Sequence, residues 1–226
     1  MITPRYDPFA QSFNRGPIWG YRGSLFSPKR AAFWLYALLL LVSLGYTLLE
    51  QGSFLAAYPA AWALSVLLMV VVVVPVLVLI YRLDQFEPEP VSLVVGAFLW
   101  GAVVAVFFSS VTNSLLAAVL ENTLSPDVFV SWRAAIVAPI NEELYKSLGL
   151  VVLFLIAPLE FDSLMDGLVY GAFIGLGFQA VENVQYFLQA VDLAGGGDQI
   201  GPVIGVFFLR VVVGGVYSHV LFTSLV

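Results

Sequence analysis

The sequence predicts an all-α polytopic membrane protein, a helical bundle of about six spans. Hydrophobic residues make up 61% of the chain and charged residues only 11%, against roughly 25% charged in a soluble domain. Apolar stretches close to the ~20 residues that a bilayer demands recur along the chain, separated by short polar connections. Cysteine is absent, which excludes disulfides and thiolate metal sites. The net charge is -6 and the nine Lys and Arg residues form no basic patch, so the lipid bilayer, and not nucleic acid, is the expected partner.

Residues 1–30 read as a cytoplasmic N-terminal arm. Pro4, Pro8, Pro17 and Pro28 interrupt any helix, and Arg5, Arg15, Arg22, Lys29 and Arg30 stand before the first span, which places the N-terminus inside. No short apolar core with a small-residue cleavage site occurs there, so span one is expected to start insertion. Residues 31–226 are expected to form one multi-span domain. Span one runs from about Ala31 to Leu49 and span two from about Ala60 to Tyr81, with an external turn from Glu50 to Pro59 between them. An acidic cytoplasmic connection, Arg82 to Pro90, is stiffened by Pro88 and Pro90. Span three covers about Val91 to Leu120, and an external loop with Pro126 leads to span four, about Ala134 to Ala157. Pro139 would kink or open that helix just ahead of Glu142.

Span five starts near Asp166 and carries Gly167, Gly171 and Gly175 at four-residue spacing, a stripe that lets another helix approach closely. After the glycine-rich external loop at Gly195, Gly196 and Gly197, the last apolar stretch covers Pro202 to Val226. It is cut short at Val226, so the natural chain is expected to continue.

The chemistry concentrates in the run Asn141-Glu142-Glu143-Leu144-Tyr145-Lys146 of span four. A charge near mid-bilayer costs roughly 2.5–3.5 kcal/mol on insertion scales, so a group of them needs a structural or chemical reason. Lys146 lies four residues after Glu142 and three after Glu143, within reach of either carboxylate on a helix, which leaves one glutamate over. A charge-compensated cluster that fixes helix register is the structural alternative. Glu182, seven residues after Gly175, falls within about 20° of the glycine face and should point into the packed interior. Asn183 lies beside it. His219, the one histidine of the chain, sits in the last apolar stretch with Thr223 one turn on.

Depth provides a test of convergence. Counted from the external ends of their spans at 1.5 Å per residue, Glu142, Glu143 and Glu182 are each roughly 12 Å deep. His219 matches them when the last span begins near Val211, in which case Pro202 to Arg210 lies along the outer surface and Arg210 snorkels there. Carboxylates, an asparagine and an imidazole at one depth supply a general base, a general acid and oxyanion donors for attack of water on a peptide carbonyl. In a dry site one of the Glu142/Glu143 pair can stay protonated while Lys146 keeps its neighbour ionised. No His-Glu-x-x-His, Gly-x-Ser-x-Gly or membrane aspartate pair offers a rival hydrolase. Zinc accepts imidazole and carboxylate, so His219, Glu143 and Glu182 form an alternative metal site. The cofactor expected is therefore none, or Zn2+, with metal-free glutamate catalysis favoured because the site has one imidazole and no thiolate.

Glu142-Glu143-x-x-Lys146, Phe178-x-x-x-Glu182-Asn183 and His219-x-x-x-Thr223, in that order on successive spans, resemble the PrsW family of intramembrane proteases, distant relatives of the prenyl-protein CAAX proteases. Asp84-x-x-Glu87-Pro88-Glu89-Pro90 and Asp166-Gly167-x-x-Tyr170-Gly171 are similar to that family too, and the resemblance covers about Tyr81 to Val226. A CAAX-type motif would carry arginine one residue later and a histidine where Glu182-Asn183 stands. The resemblance implies an endopeptidase of the cell membrane that cuts membrane-bound protein substrates, anti-sigma factors among the bacterial cases, with its site toward the extracytoplasmic leaflet. It implies Glu142, Glu143, Glu182 and His219 as catalytic, with Lys146, Asn183, Thr223 and Asp166 in support. The family is often labelled metallopeptidase, while relatives are argued to be glutamate-dependent. Two rival readings use the same charges: a proton-coupled transporter or channel, whose inverted repeats are not evident in the sequence, and a non-catalytic receptor.

Overall fold

The computed structural model describes residues 23–83, 89–123, 125, 128, 138–215 and 218–225, and every regular element among them is helical. The arm up to Arg22, the acidic residues Asp84 and Glu87, and most of the connection between spans three and four lie outside them. The elements are α1 (Ala31–Ala57), α2 (Pro59–Leu83), α3 (Val91–Glu121), α4 (Ala138–Ile156), α5 (Leu164–Leu193), α6 (Ile200–Val213) and α7 (Ser218–Ser224). Among the described residues, α1, α2, α3 and α5 are long and apolar enough to cross a membrane, and α6 and α7 meet the same test only taken together, across a 42° bend. Helix α4 carries three charged residues and is not among them, so four helices, or five when the bent pair counts as one span, stand against the six predicted.

The turn between α1 and α2 is tighter than predicted. No proline interrupts Glu50–Ala57, so α1 continues until Tyr58, whose φ of -138° lies in the range favoured before Pro59,. The ends of the helices then sort into two layers. At one, Arg30 Nη1 donates to the Leu155 carbonyl at 3.0 Å, the Leu25 amide donates to Ser92 Oγ at 3.3 Å, and Tyr170 donates to Glu89. At the other, the Asp198 carboxylate accepts from the amides of Ala60 and Ala61 at 2.8 Å, and Gln185 Nε2 donates to Glu50 at 2.5 Å. The helices therefore alternate in direction, as short polar connections between apolar spans require.

Helix α5 is the hub. Two-thirds of its most apolar stretch is buried, against 11% for α1 and 22% for α2, so α1 and α2 offer most of their surface to lipid while α5 is wrapped by its neighbours. The wrapping is close because side chains are missing where backbones meet. A Cβ on Gly101 of α3 would lie 1.8 Å from the Ile174 carbonyl, and one on Gly177 of α5 would lie 2.1 Å from the Phe98 carbonyl. At the Gly101 contact α3 widens into π-helical turns at Trp100–Ala105, all buried. Gly171 and Gly175 admit α7 in the same way: their Cβ atoms would lie 2.6 Å from the Thr223 carbonyl and 2.2 Å from the His219 carbonyl. Gly167 of the predicted stripe has no neighbour within 4 Å, so the packing face is two glycines long.

Candidate active site

Helix α3 fixes the rotation of α4. Trp100, presented by the π turns, lies over Gly149 and donates from Nε1 to the Tyr145 carbonyl at 2.9 Å. The Tyr145 ring stacks on Phe108 and its hydroxyl shares a 2.8 Å hydrogen bond with Thr112. Asn141 Nδ2 donates to Asn113 Oδ1 at 2.9 Å. Pro139 lies in the first described turn of α4 (Ala138–Ile156), and the residues ahead of Ala138, where the predicted kink would show, lie outside the described residues. With this rotation Glu142 and Lys146 are buried on the face toward α5 and α7.

The ionisable groups then separate into two linked sets. Glu143 has both carboxylate oxygens engaged: Oε1 accepts from Lys146 Nζ at 2.6 Å and Oε2 accepts from Thr223 Oγ1 at 3.1 Å. Lys146 is fully buried, lies 4.1 Å from the Phe178 ring centroid, and also reaches His219 Nδ1 at 2.9 Å. On the far side of the imidazole, His219 Nε2 lies 3.3 Å from Glu182 Oε2. That oxygen also accepts from Arg210 Nη2 at 2.9 Å, while Arg210 Nε donates to Asn183 Oδ1 at 3.0 Å. Glu142, Glu182 and His219 each place one ligating atom within 4.8 Å of the others. Among the described residues no side chain donates a hydrogen bond to the Glu142 carboxyl, so it is the acid of the set left available for chemistry.

The lysine contact assigns the ring's proton. An ammonium donates and cannot accept, so His219 Nδ1 accepts from Lys146, and a neutral ring then carries its hydrogen on Nε2, directed at Glu182.

Of the residues singled out from sequence, Glu142, Glu143, Lys146, Glu182, Asn183, His219 and Thr223 all meet here. Asp166 does not. It completes a capping box at the start of α5, its carboxylate accepting from the amides of Asp162 and Ser163 and from Ser163 Oγ at 2.6 Å. Sixteen residues of helix separate it from Glu182, about 24 Å. The sequence reading also misplaces Arg210, which turns inward to Glu182 and Asn183 and lies over the Tyr186 ring at 3.6 Å. The π-helical turns at Phe208–Val213 rotate it, and a carboxylate within reach is a better partner than an interface. The signal available in the sequence was an arginine inside an apolar run nine residues before the histidine.

This fold and this site define a polytopic membrane protein with a carboxylate and imidazole centre held by two cations, the four helices that build it converging inside the bundle. The model of the PrsW family intramembrane metalloprotease matches residues 89–226. Over 108 residues the chain is 32% identical to "Protease PrsW" of Geobacillus kaustophilus (strain HTA426), covering 48% of this chain and 45% of the relative. "Protease PrsW" of Clostridioides difficile (strain 630) is 30% identical over 131 residues, 56% and 53% of the two chains, and that of Bacillus subtilis (strain 168) is 33% identical over 108 residues, 48% and 46%. The chain belongs to the PrsW family. It spans about half the length of the curated relatives it matches. No solved structure matches it.

The family description names a metal, and the side chains test it. Glu142, Glu182 and His219 are close enough to share an ion; Glu143 of the sequence-derived ligand set is not among them, being held by Lys146 and Thr223. The ring is the obstacle. A metal on Nε2 would displace the hydrogen to Nδ1, which faces Lys146 at 2.9 Å, and a metal-bound histidine ordinarily gives that hydrogen to a carboxylate, carbonyl or water. Two donors would then meet. As hydrogen-bonded here, the residues do not fit a metal at this ring nitrogen.

Proposed function

We propose that this chain is an intramembrane endopeptidase that hydrolyses peptide bonds of membrane-bound protein substrates, anti-sigma-factor-like by family resemblance, with Glu142 as its base. One observation carries the reading: the free carboxyl of Glu142, the imidazole of His219 and the carboxylate of Glu182, brought from three helices, lie within 4.8 Å of one another. Glu142 takes a proton from a water that attacks the scissile carbonyl carbon. The resulting oxyanion accepts hydrogen bonds from His219 Nε2–H and from the Asn183 amide, whose Oδ1 is occupied by Arg210 and whose NH2 therefore faces elsewhere,. Protonated Glu142 returns its proton to the departing amine as the C–N bond breaks, leaving a carboxylic acid and an amine.

Glu143 and Lys146 act through His219: the ammonium holds Nδ1 as an acceptor and so keeps the hydrogen on Nε2. Glu182, fixed by Arg210, accepts the hydrogen bond from Nε2–H between turnovers. Replacing Glu142 by Gln keeps the shape and removes the base, so cleavage of a membrane-tethered substrate in liposomes should fall below detection while thermal unfolding in detergent stays close to that of the native protein. Turnover by a well-folded Glu142→Gln protein at the native rate would refute the assignment. A proton flux across the same liposomes, with no cleavage by the native protein, would point instead to a proton-coupled transporter.

A further inference from the structure

We infer that Arg210 is a positioning residue that sets the orientation of Glu182 and, through it, the proton on His219; the inference rests on the endopeptidase reading above. Its place in the chain is unusual for a surface arginine. It lies in the middle of the π-helical turns at Phe208–Val213, a winding that appears mostly as short insertions and frequently at functional sites. Those turns aim the guanidinium at three residues on two adjacent turns of α5. Nη2 donates to Glu182 Oε2 at 2.9 Å, Nε donates to Asn183 Oδ1 at 3.0 Å, and the plane lies over Tyr186 at 3.6 Å.

A planar fork is needed for this grip. Glu182 and Asn183 are consecutive on a helix and leave it in directions about 100° apart, so the two acceptors are reached at once only by a group whose donors are spread in a plane. Lysine would supply the charge to one acceptor and leave the other. The grip matters because Glu182 Oε2 is also the atom that faces His219 Nε2 at 3.3 Å. Lys146 is committed to Glu143 and to Nδ1, so among the described residues Arg210 is the cation that directly holds Glu182. With it removed, Glu182 is free to turn away and the ring loses the acceptor that favours hydrogen on Nε2. Arg210 also walls a polar recess of about 310 Å³ beside Asn183, Ser218 and His219, and its side chain keeps 29% exposure there. The guanidinium thus stands between that recess and the buried carboxylate.

The chain's one histidine makes the test direct, because a nitrogen-15 histidine spectrum of the whole protein in detergent reports His219 alone. The native protein should show the tautomer with hydrogen on Nε2. Arg210→Met, which keeps bulk and removes the charge, should broaden or shift that signal toward a mixture of tautomers. Arg210→Lys should retain the native melting temperature but lose kcat by about 10–100-fold, the usual cost of removing a partner that orients a reacting group, with KM little changed. In a Glu182→Gln background, Arg210→Met should cost little more, since the residue acts through Glu182. Native kcat in Arg210→Lys, an unmoved His219 signal in Arg210→Met, or a full additional loss in the Glu182→Gln background would each overturn the inference. Should Arg210→Met fail to fold, Arg210→Lys carries both the spectral and the kinetic readout. If the His219 signal responds as expected while the native protein cleaves no substrate, the endopeptidase reading fails and the positioning role stands.

Discussion

Placing a methyl group on Gly175 is the smallest change that should separate the catalytic helices. The new Cβ would lie 2.2 Å from the His219 carbonyl oxygen, 2.7 Å from its carbon and 3.1 Å from Val220 Cα, all of them backbone atoms. Reaching the 3.4 Å at which ordinary contact begins moves α7 outward by about 1.2 Å. His219 rides on α7, so its contacts at 2.9 Å to Lys146 and 3.3 Å to Glu182 pass beyond hydrogen-bonding range. Overpacking of this kind costs about 1–3 kcal/mol, and a misplacement of about 1 Å at a reacting group costs about 10²-fold in rate. Gly175→Ala should therefore lose most of its cleavage of a tethered substrate in liposomes, along with several degrees of melting temperature in detergent. Gly167→Ala is the control: nothing lies within 4 Å of that position, and alanine is the better helix former by about 1 kcal/mol. Gly195→Ala should stand between them, since its φ of +98° strains an L-residue but moves no helix. Native rate and stability in Gly175→Ala would refute the claim that this glycine sets the position of His219.

Three further outcomes follow from the same geometry. Lys146→Met should destabilise the protein by about 1–3 kcal/mol, because Glu143, only partly buried, is left without its counter-charge,; Lys146→Met with Glu143→Gln should recover most of the melting temperature but not the rate, and a fully active Lys146→Met would show that the ammonium does not orient His219. Asp166→Ala removes a cap about 24 Å from the site and should cost about 1 kcal/mol of stability with kcat unchanged; a specific loss of kcat would reinstate Asp166 as part of the site. Protein stripped of metal, checked by elemental analysis, should retain its cleavage rate, whereas loss on stripping and recovery with one equivalent of zinc would overturn the proton arrangement assigned to His219.

The amino-acid sequence by itself determined the helical membrane character, the alternating spans and the presence of a lysine within reach of either Glu142 or Glu143 on its own helix. Each follows from local quantities: apolar length against bilayer thickness, and the reach of a side chain three residues along its own helix. The Gly171 and Gly175 face was legible for the same reason, as a spacing that any helix repeats. Tertiary structure decided which glutamate is left free, which carboxylate faces the imidazole, and where Arg210 points. Those depend on how far each helix is rotated about its axis when it packs. Here the rotation is set by the Trp100 contact on α4, by backbone contact at Gly175 and by π-helical turns at Trp100–Ala105 and Phe208–Val213, where an extra residue per turn shifts every later side chain off the 3.6-residue period on which a sequence pattern is read.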